Sequence, residues 1–434
     1  LKAREKYPLR RAVAALILLS ITVSDSTGEE SEEFPAQLSQ SEFPRWLKEH
    51  VQGLEWKQRK FQPRLTRGVL EGSLKLGQIF LVNNQKPDGN FNYQYDFLKK
   101  KLSTSDNQIR QAGALWGLSL ILRNEPNAEL LQAVKKGLTF FLSRTTKGDH
   151  SGRLIISYPG AKECSTGTVA LVSLSIIEVL RANRSGHIKL DPGFRTEIQK
   201  TLWGFIQHLV SMQMSNLHFS KSMRLDTKEK SAGFSAYFDG EVILCLVRAA
   251  RYVGFSFLVS TLDKTIPVLA KHYTVDKWRH VHDSNETKGF FQWSCLAFWE
   301  YQRARWKHSD LCRDYVLAMA WWMIHTHRTL SRKRNTAYVF EGIIPAYLIA
   351  EKRKDARAMN ELDYTIDRGL YKLTSWQVGG PLQSKNTFLS RNITTDELAV
   401  GGIMNHKEEA PLRIDVTQHQ MHAVILALNY VHRK

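Results

Sequence analysis

The chain is expected to be all-α, an (α/α)6 toroid in which six outer helices alternate with six inner ones. Three observations predict it. Six amphipathic segments alternate with six segments that are apolar on nearly every side. Short and long connections alternate in step with them. Strand-like runs are scarce, with Leu154-Ile155-Ile156-Ser157-Tyr158 the clearest. The 434 residues are 43% hydrophobic and 24% charged, enough apolar material for a large core and too much for a disordered chain.

Taken in order, residues 1–23 read as a signal peptide or N-terminal anchor. Lys2, Arg4, Lys6, Arg10 and Arg11 precede the apolar run Ala12-Val13-Ala14-Ala15-Leu16-Ile17-Leu18-Leu19. The run is short for a permanent span, so a secreted or periplasmic protein is expected, with an uncleaved membrane anchor as the alternative. Residues 24–43 hold five Glu and five Ser with almost no apolar periodicity, and read as an acidic flexible linker. Residues 44–434 read as a single domain, with no further stable membrane span.

Within that domain the amphipathic helices start near Arg67, Ala128, Thr196, Leu258, Asp310 and Arg357. Leu130, Val134, Leu138 and Phe141 form one stripe at helical spacing, and Leu362, Ile366, Leu370 and Leu373 another. The all-apolar segments are Ala112–Leu118, Thr168–Leu174, Val242–Ala250, Ser294–Trp299, Gly342–Ala350 and Ala423–Leu428. Connections from inner to outer helices are short, as at 123–127 and 352–356. Those from outer to inner are long, at 83–105, 144–163, 214–236 and 376–414. In alternating antiparallel helices the long connections all fall on one face, where function is expected.

This alternation, over about residues 60–432, resembles the α/α toroids of six-hairpin glycosidases, sugar 2-epimerases, certain polysaccharide lyases and terpenoid-cyclase-like proteins. The resemblance implies a central cavity with a carbohydrate or prenyl guest, and it carries over no catalytic residue. Prenyl cyclisation is disfavoured because the chain has no DxDD or DDxxD cluster. The absence of P-loop, GxGxxG and GxSxG patterns disfavours nucleotide and serine-hydrolase chemistry.

Polar residues gather where the apolar helices begin. Asp239, Glu241, Glu341 and Asp415 are the candidate catalytic carboxylates, since glycoside hydrolysis needs two carboxyl groups across the scissile bond. Asp239 and Glu241 stand two residues apart and diverge by about 200° on a helix, so neither can be the other's partner. An ion pair of Glu241 with Arg110 or Arg248 is the structural alternative. His419 is a candidate general base, its reference pKa lying near neutrality. His419 and His422 share one face as metal ligands can, but there is no HExxH and no third ligand, so no metal and no cofactor are expected.

Arg110 and Arg413 are expected to hold a substrate carboxylate. Asn107, Gln111, Tyr93, Tyr95, Tyr237, Gln292, Trp293 and His422 complete the expected binding set, and Asn335, Tyr338 and Gln418 fall at the same helix starts. Helix capping is the competing reading for the Asp, Ser and Asn positions.

Formal net charge is +19; residues 1–23 carry five basic residues and one acidic, and without them it is still +15. That surface favours anionic partners. The basic residues are scattered, so a polyanionic carbohydrate is expected rather than nucleic acid. The four cysteines permit disulfides without assigning any. The reading is an exported carbohydrate-active enzyme, with glycan hydrolysis ahead of uronate elimination or epimerisation. A non-catalytic glycan-binding or envelope-assembly protein is the contrasting class.

Overall fold

The computed structural model describes residues 38–148 and 152–433; the expected signal segment and most of the acidic segment lie outside them. Helix α1 (Phe43–Gln52) packs on the outside of the domain, against α10. The outer helices are α2 (Arg67–Asn83), α4 (Ala128–Leu142), α6 (Pro192–Ser211), α8 (Val259–Lys271), α10 (Ser309–His325) and α12 (Ala356–Thr374). The inner helices are α3 (Gln108–Asn124), α5 (Thr166–Arg184), α7 (Ala236–Arg248), α9 (Asn285–Arg303), α11 (Ala337–Arg353) and α14 (Ile414–Tyr430), with a short α13 (Thr387–Arg391) in the last connection.

The inner helices close a ring. Helix α3 packs on α5, α5 on α7, α7 on α9, α9 on α11, α11 on α14, and α14 returns to α3. That is why their sequences are apolar all round: each is covered by two inner neighbours and an outer helix. Helix α5 is apolar and long enough to cross a membrane, yet its surface is covered inside the ring. Small residues set the close approach. A Cβ on Gly117 would stand 2.4 Å from Gln418 Cγ on α14, and one on Gly342 would stand 2.5 Å from Phe291 on α9.

Helices α4, α6, α8, α10 and α12 each pack mainly on the inner helix before them in sequence, so the tight units are inner-to-outer hairpins, and α2 packs mainly on the last inner helix, α14. The short connections impose this, because a few residues can only return the chain alongside the helix it has left. Side-chain caps set the starts: Asn127 accepts from Leu130 N at α4, Asp191 from Phe194 N at α6 and Asp355 from Ala358 N at α12.

The long connections carry small antiparallel pairings. Strand β1 (Gln94–Asp96) pairs with β2 (Lys101–Leu102) and with β7 (Pro411–Arg413), the latter with Gln94 opposite Arg413. Strand β3 (Thr145–Lys147) pairs with β4 (Leu154–Ile156), the expected extended run. Strand β5 (Glu163–Ser165) pairs with β6 (Ser222–Arg224). Strands β5 and β7 run directly into inner helices α5 and α14, which fixes the entry of those helices at the long-connection face.

At the opposite end, fully buried Glu178 of α5 is held by Arg123 of α3 at 2.6 Å, Arg248 of α7 at 2.8 Å and Arg181 at 3.0 Å. Burial alone would raise this carboxyl; the three guanidinium groups bring it down to about 2. The four cysteines are buried and unpaired, and burial pushes the Cys164 and Cys245 thiols up to about 12.

Candidate active site

A cavity of about 560 Å³ opens at the long-connection face, where all six inner helices begin. Each contributes from its first two turns or so: Arg110 and Gly113 from α3, Leu171 from α5, Tyr237, Phe238 and Glu241 from α7, Lys288, Gln292 and Trp293 from α9, Tyr338 from α11, and Asp415, Gln418 and His419 from α14. The inner helices point their N-termini at this volume, and the helix dipoles add positive potential to it.

Among the described residues His419 is the one imidazole on the wall. Its Nδ1 lies 2.8 Å from Glu341 Oε1, and Gln292 Nε2 is 3.1 Å from the same nitrogen. A carboxylate there makes Nδ1 the protonated nitrogen and leaves Nε2 as the basic one. Trp293 meets the ring edge-on at 6.0 Å between centroids. Glu341 is fully buried behind the histidine, and its other oxygen bonds to His422 Nδ1. Burial would raise the Glu341 carboxyl, but His422 and His419 pull it below the ordinary value.

Glu241 behaves in the opposite way. It is 3% exposed, lines the cavity, and its Oε2 is buried with no hydrogen-bond partner among the described residues. Burial pushes this carboxyl well above its usual range, which favours its protonated form. The expected alternative of an ion pair does not form, because Arg248 pairs with Glu178 and Arg110 with Asp415. Asp415 accepts a bidentate fork from Arg413, at 3.0 and 2.7 Å, and stands 3.3 Å from Arg110. Burial and the neighbouring Arg413 together outweigh Asp415 and lower the pKa of Arg110.

Asn107, Arg110, Tyr237, Glu241, Gln292, Trp293, Arg413, Asp415 and His419 thus share one wall. Asn107 also caps α3, accepting from Ile109 N and Arg110 N. The other expected residues do not line it. Asp239 points away from the cavity, where its carboxylate meets His218 Nδ1 and Tyr273 Oη at 2.6 Å each and Phe219 N at 2.8 Å. The divergence from Glu241 along α7 dictates this. Gln111 is fully buried, its amide clamped on the Phe91 backbone. Tyr95 bonds to Asp396, and Tyr93 bonds to Arg110 from behind the wall. Glu341 and His422 form a buried layer beneath His419 instead of facing the cavity.

Lys288, Arg334, Asn405 and Phe238 line the cavity without having been singled out. Lys288, in the first turn of α9, carried a usable signal: a cation beside Gly289 where an inner helix starts. Asn405 carried none, since its place depends on the backbone bond from Asn335 N to Asn405 O at 2.8 Å.

Fold and site define an α/α-toroid protein with a polar, cation-rich cavity at the head of its inner barrel. Solved structures share that architecture. A D-mannose isomerase aligns over 85% of this chain and 100% of its own at a TM-score of 0.57 and 12% identity. A cellobiose 2-epimerase from Bacillus thermoamylovorans aligns over 82% and 98% at 0.56 and 10%. A GH76 α-mannanase from Bacteroides thetaiotaomicron aligns over 83% and 96% at 0.54 and 8%. At these identities the likeness is one of fold. No family model and no curated protein sequence matches the chain.

Proposed function

We propose that this is an exported carbohydrate-active enzyme that moves a proton at a carbon beside a carbonyl or carboxylate, as an epimerase or isomerase of an anionic sugar does. One observation carries the reading: a cavity histidine is backed by a buried carboxylate, while the Asp415 carboxylate on the wall is held by two arginines. His419 Nε2 takes the proton, and Glu341 fixes the ring and stabilises the imidazolium that forms. Protonated Glu241 donates to the oxygen on which negative charge develops. Arg110 and Arg413 hold the anionic group, and the fold neighbours named an isomerase, an epimerase and a mannanase support a sugar as the guest.

Hydrolysis, the leading expectation from sequence, is less well supported. It requires two carboxyl groups free to act across a bond, and among the described wall residues only Glu241 is free of arginine. The test is incubation of the full chain with reducing sugars and uronates in D2O. Deuterium uptake beside the carbonyl, lost in His419→Asn, is the expected result. New reducing ends without deuterium uptake would establish a hydrolase, and sugar binding without any turnover would establish a binder.

A further inference from the structure

A second concavity of about 530 Å³ lies outside the barrel, between outer helix α12 and the last long connection. Arg64, Arg368, Lys372, Lys385 and Lys407 line it, against one carboxylate on its wall, Glu408. Glu408 pairs with Lys407 at 2.9 Å, and Arg368 with buried Asp367 at 2.8 Å. Arg64, Lys372 and Lys385 have no carboxylate partner among the described residues. Half-buried Lys372 donates only to two backbone carbonyls, Leu330 O and Arg332 O, at 3.1 Å each. Burial without a counter-charge lowers its pKa to about 8.

Aromatic rings alternate with these cations. The Arg64 guanidinium stands 5.5 Å from the Tyr371 ring, Arg368 5.5 Å from Tyr364, and the Lys372 ammonium 5.6 Å from Trp376. Trp376 is buried, but the partly exposed Tyr364 and Tyr371 rings suit the C–H faces of sugar rings, and the unbalanced cations suit anionic substituents.

The groove lies beside the cavity. Asn405 lines the cavity and Lys407 lines the groove, two residues along one chain segment and so within roughly 7 Å. The facing segment does the same, with Leu330 in the groove and Arg334 and Asn335 in the cavity. A bridge between Arg334 and His406 ties the two segments into a ridge separating the sites.

We propose that this groove binds the outer units of a linear acidic glycan whose end unit enters the cavity, which makes the substrate an anionic oligo- or polysaccharide. The choice of a glycan over another polyanion rests on the carbohydrate reading of the cavity.

The experiment measures binding to the full chain carrying His419→Asn, so that turnover does not consume the ligand. Probes are a hexameric oligogalacturonate, monomeric galacturonate, a neutral cello-oligosaccharide of equal length and a single-stranded oligonucleotide of equal charge. The expected result is that the acidic hexamer binds at least about 10-fold more tightly than the monomer, with an advantage that salt screens. The neutral chain should show no such gain. Combined Arg64→Ala, Lys385→Ala and Lys407→Ala should abolish the hexamer's advantage at an unchanged melting temperature, and Lys385→Glu alone should reduce it. Equal hexamer affinity in the variants, or tighter groove binding of the oligonucleotide, would overturn the proposal. Groove binding with no deuterium uptake in the unmodified enzyme would overturn the proton-transfer reading and leave the groove standing.

Discussion

His419 Nδ1 lies 2.8 Å from Glu341 Oε1, a contact that joins the neighbouring inner helices α14 and α11. The carboxylate is fully buried and is shared with His422, so in the proposed reaction it positions the base and is not itself a reacting group. This relationship turns an inner-barrel glutamate into part of the cavity's chemistry without placing it on the wall.

Glu341→Gln should therefore lower kcat by about 10²-fold with little change in KM. His419, deprived of its carboxylate, loses the partner that fixes its ring, and Glu341→Asp should recover part of the lost kcat. Full activity in Glu341→Gln would remove Glu341 from this role.

Glu241 links the cavity to stability. Its folded pKa lies well above its unfolded value, so the native state holds a proton that the unfolded state gives up above about pH 4.5. The stability this contributes is complete below the unfolded pKa and lost as pH rises through the folded one. Glu241→Gln should abolish that loss, so the variant gains on the wild type as pH rises, while turnover falls. Denaturant melts of both proteins from pH 5 to 9 check it; parallel stability curves would count against a protonated Glu241.

Gly167 of α5 gives Glu241 its room. A Cβ there would stand 2.4 Å from Glu241 Oε2 and 2.7 Å from the Phe238 ring. Gly167→Ala should cost about 1–3 kcal/mol and shift the alkaline limb of the rate profile, because the carboxyl must move. An unaltered alkaline limb at native activity would show that the Glu241 position is not set by this contact.

Glu178→Gln tests the far end of the barrel. Removing the carboxylate strands Arg123, Arg181 and Arg248 and should cost about 3–5 kcal/mol. The folded pKa of Glu178 is depressed to about 2, so its contribution is present above about pH 4.5 and fades as pH falls toward 2. The difference between variant and wild type should shrink over that interval, and kcat of the folded variant should stay native. A variant of native stability at pH 7 would show that the cluster contributes no net stability.

The twelve ring helices and their order were legible because burial on one side or on all sides leaves a period in the sequence. The face carrying the cavity was legible from connection lengths, and nine of the fifteen expected side chains reach it. The sequence could not say which polar residue at a helix start faces inward. Asp239 and Glu241 differ by two positions on α7, which sends one to a histidine behind the ring and leaves the other facing the cavity.

By itself, then, the sequence determined the alternating helices, the basic charge and the end of the barrel where the cavity opens, since these follow from local periodicity, connection length and composition. Only the tertiary structure decided the chemistry of each group. It buried Glu241 without a partner, clamped Asp415 between two arginines, and set Glu341, 78 residues away in the chain, beneath His419. Charge state and hydrogen-bond partner depend on distances across the ring, and no local pattern in the chain encodes those.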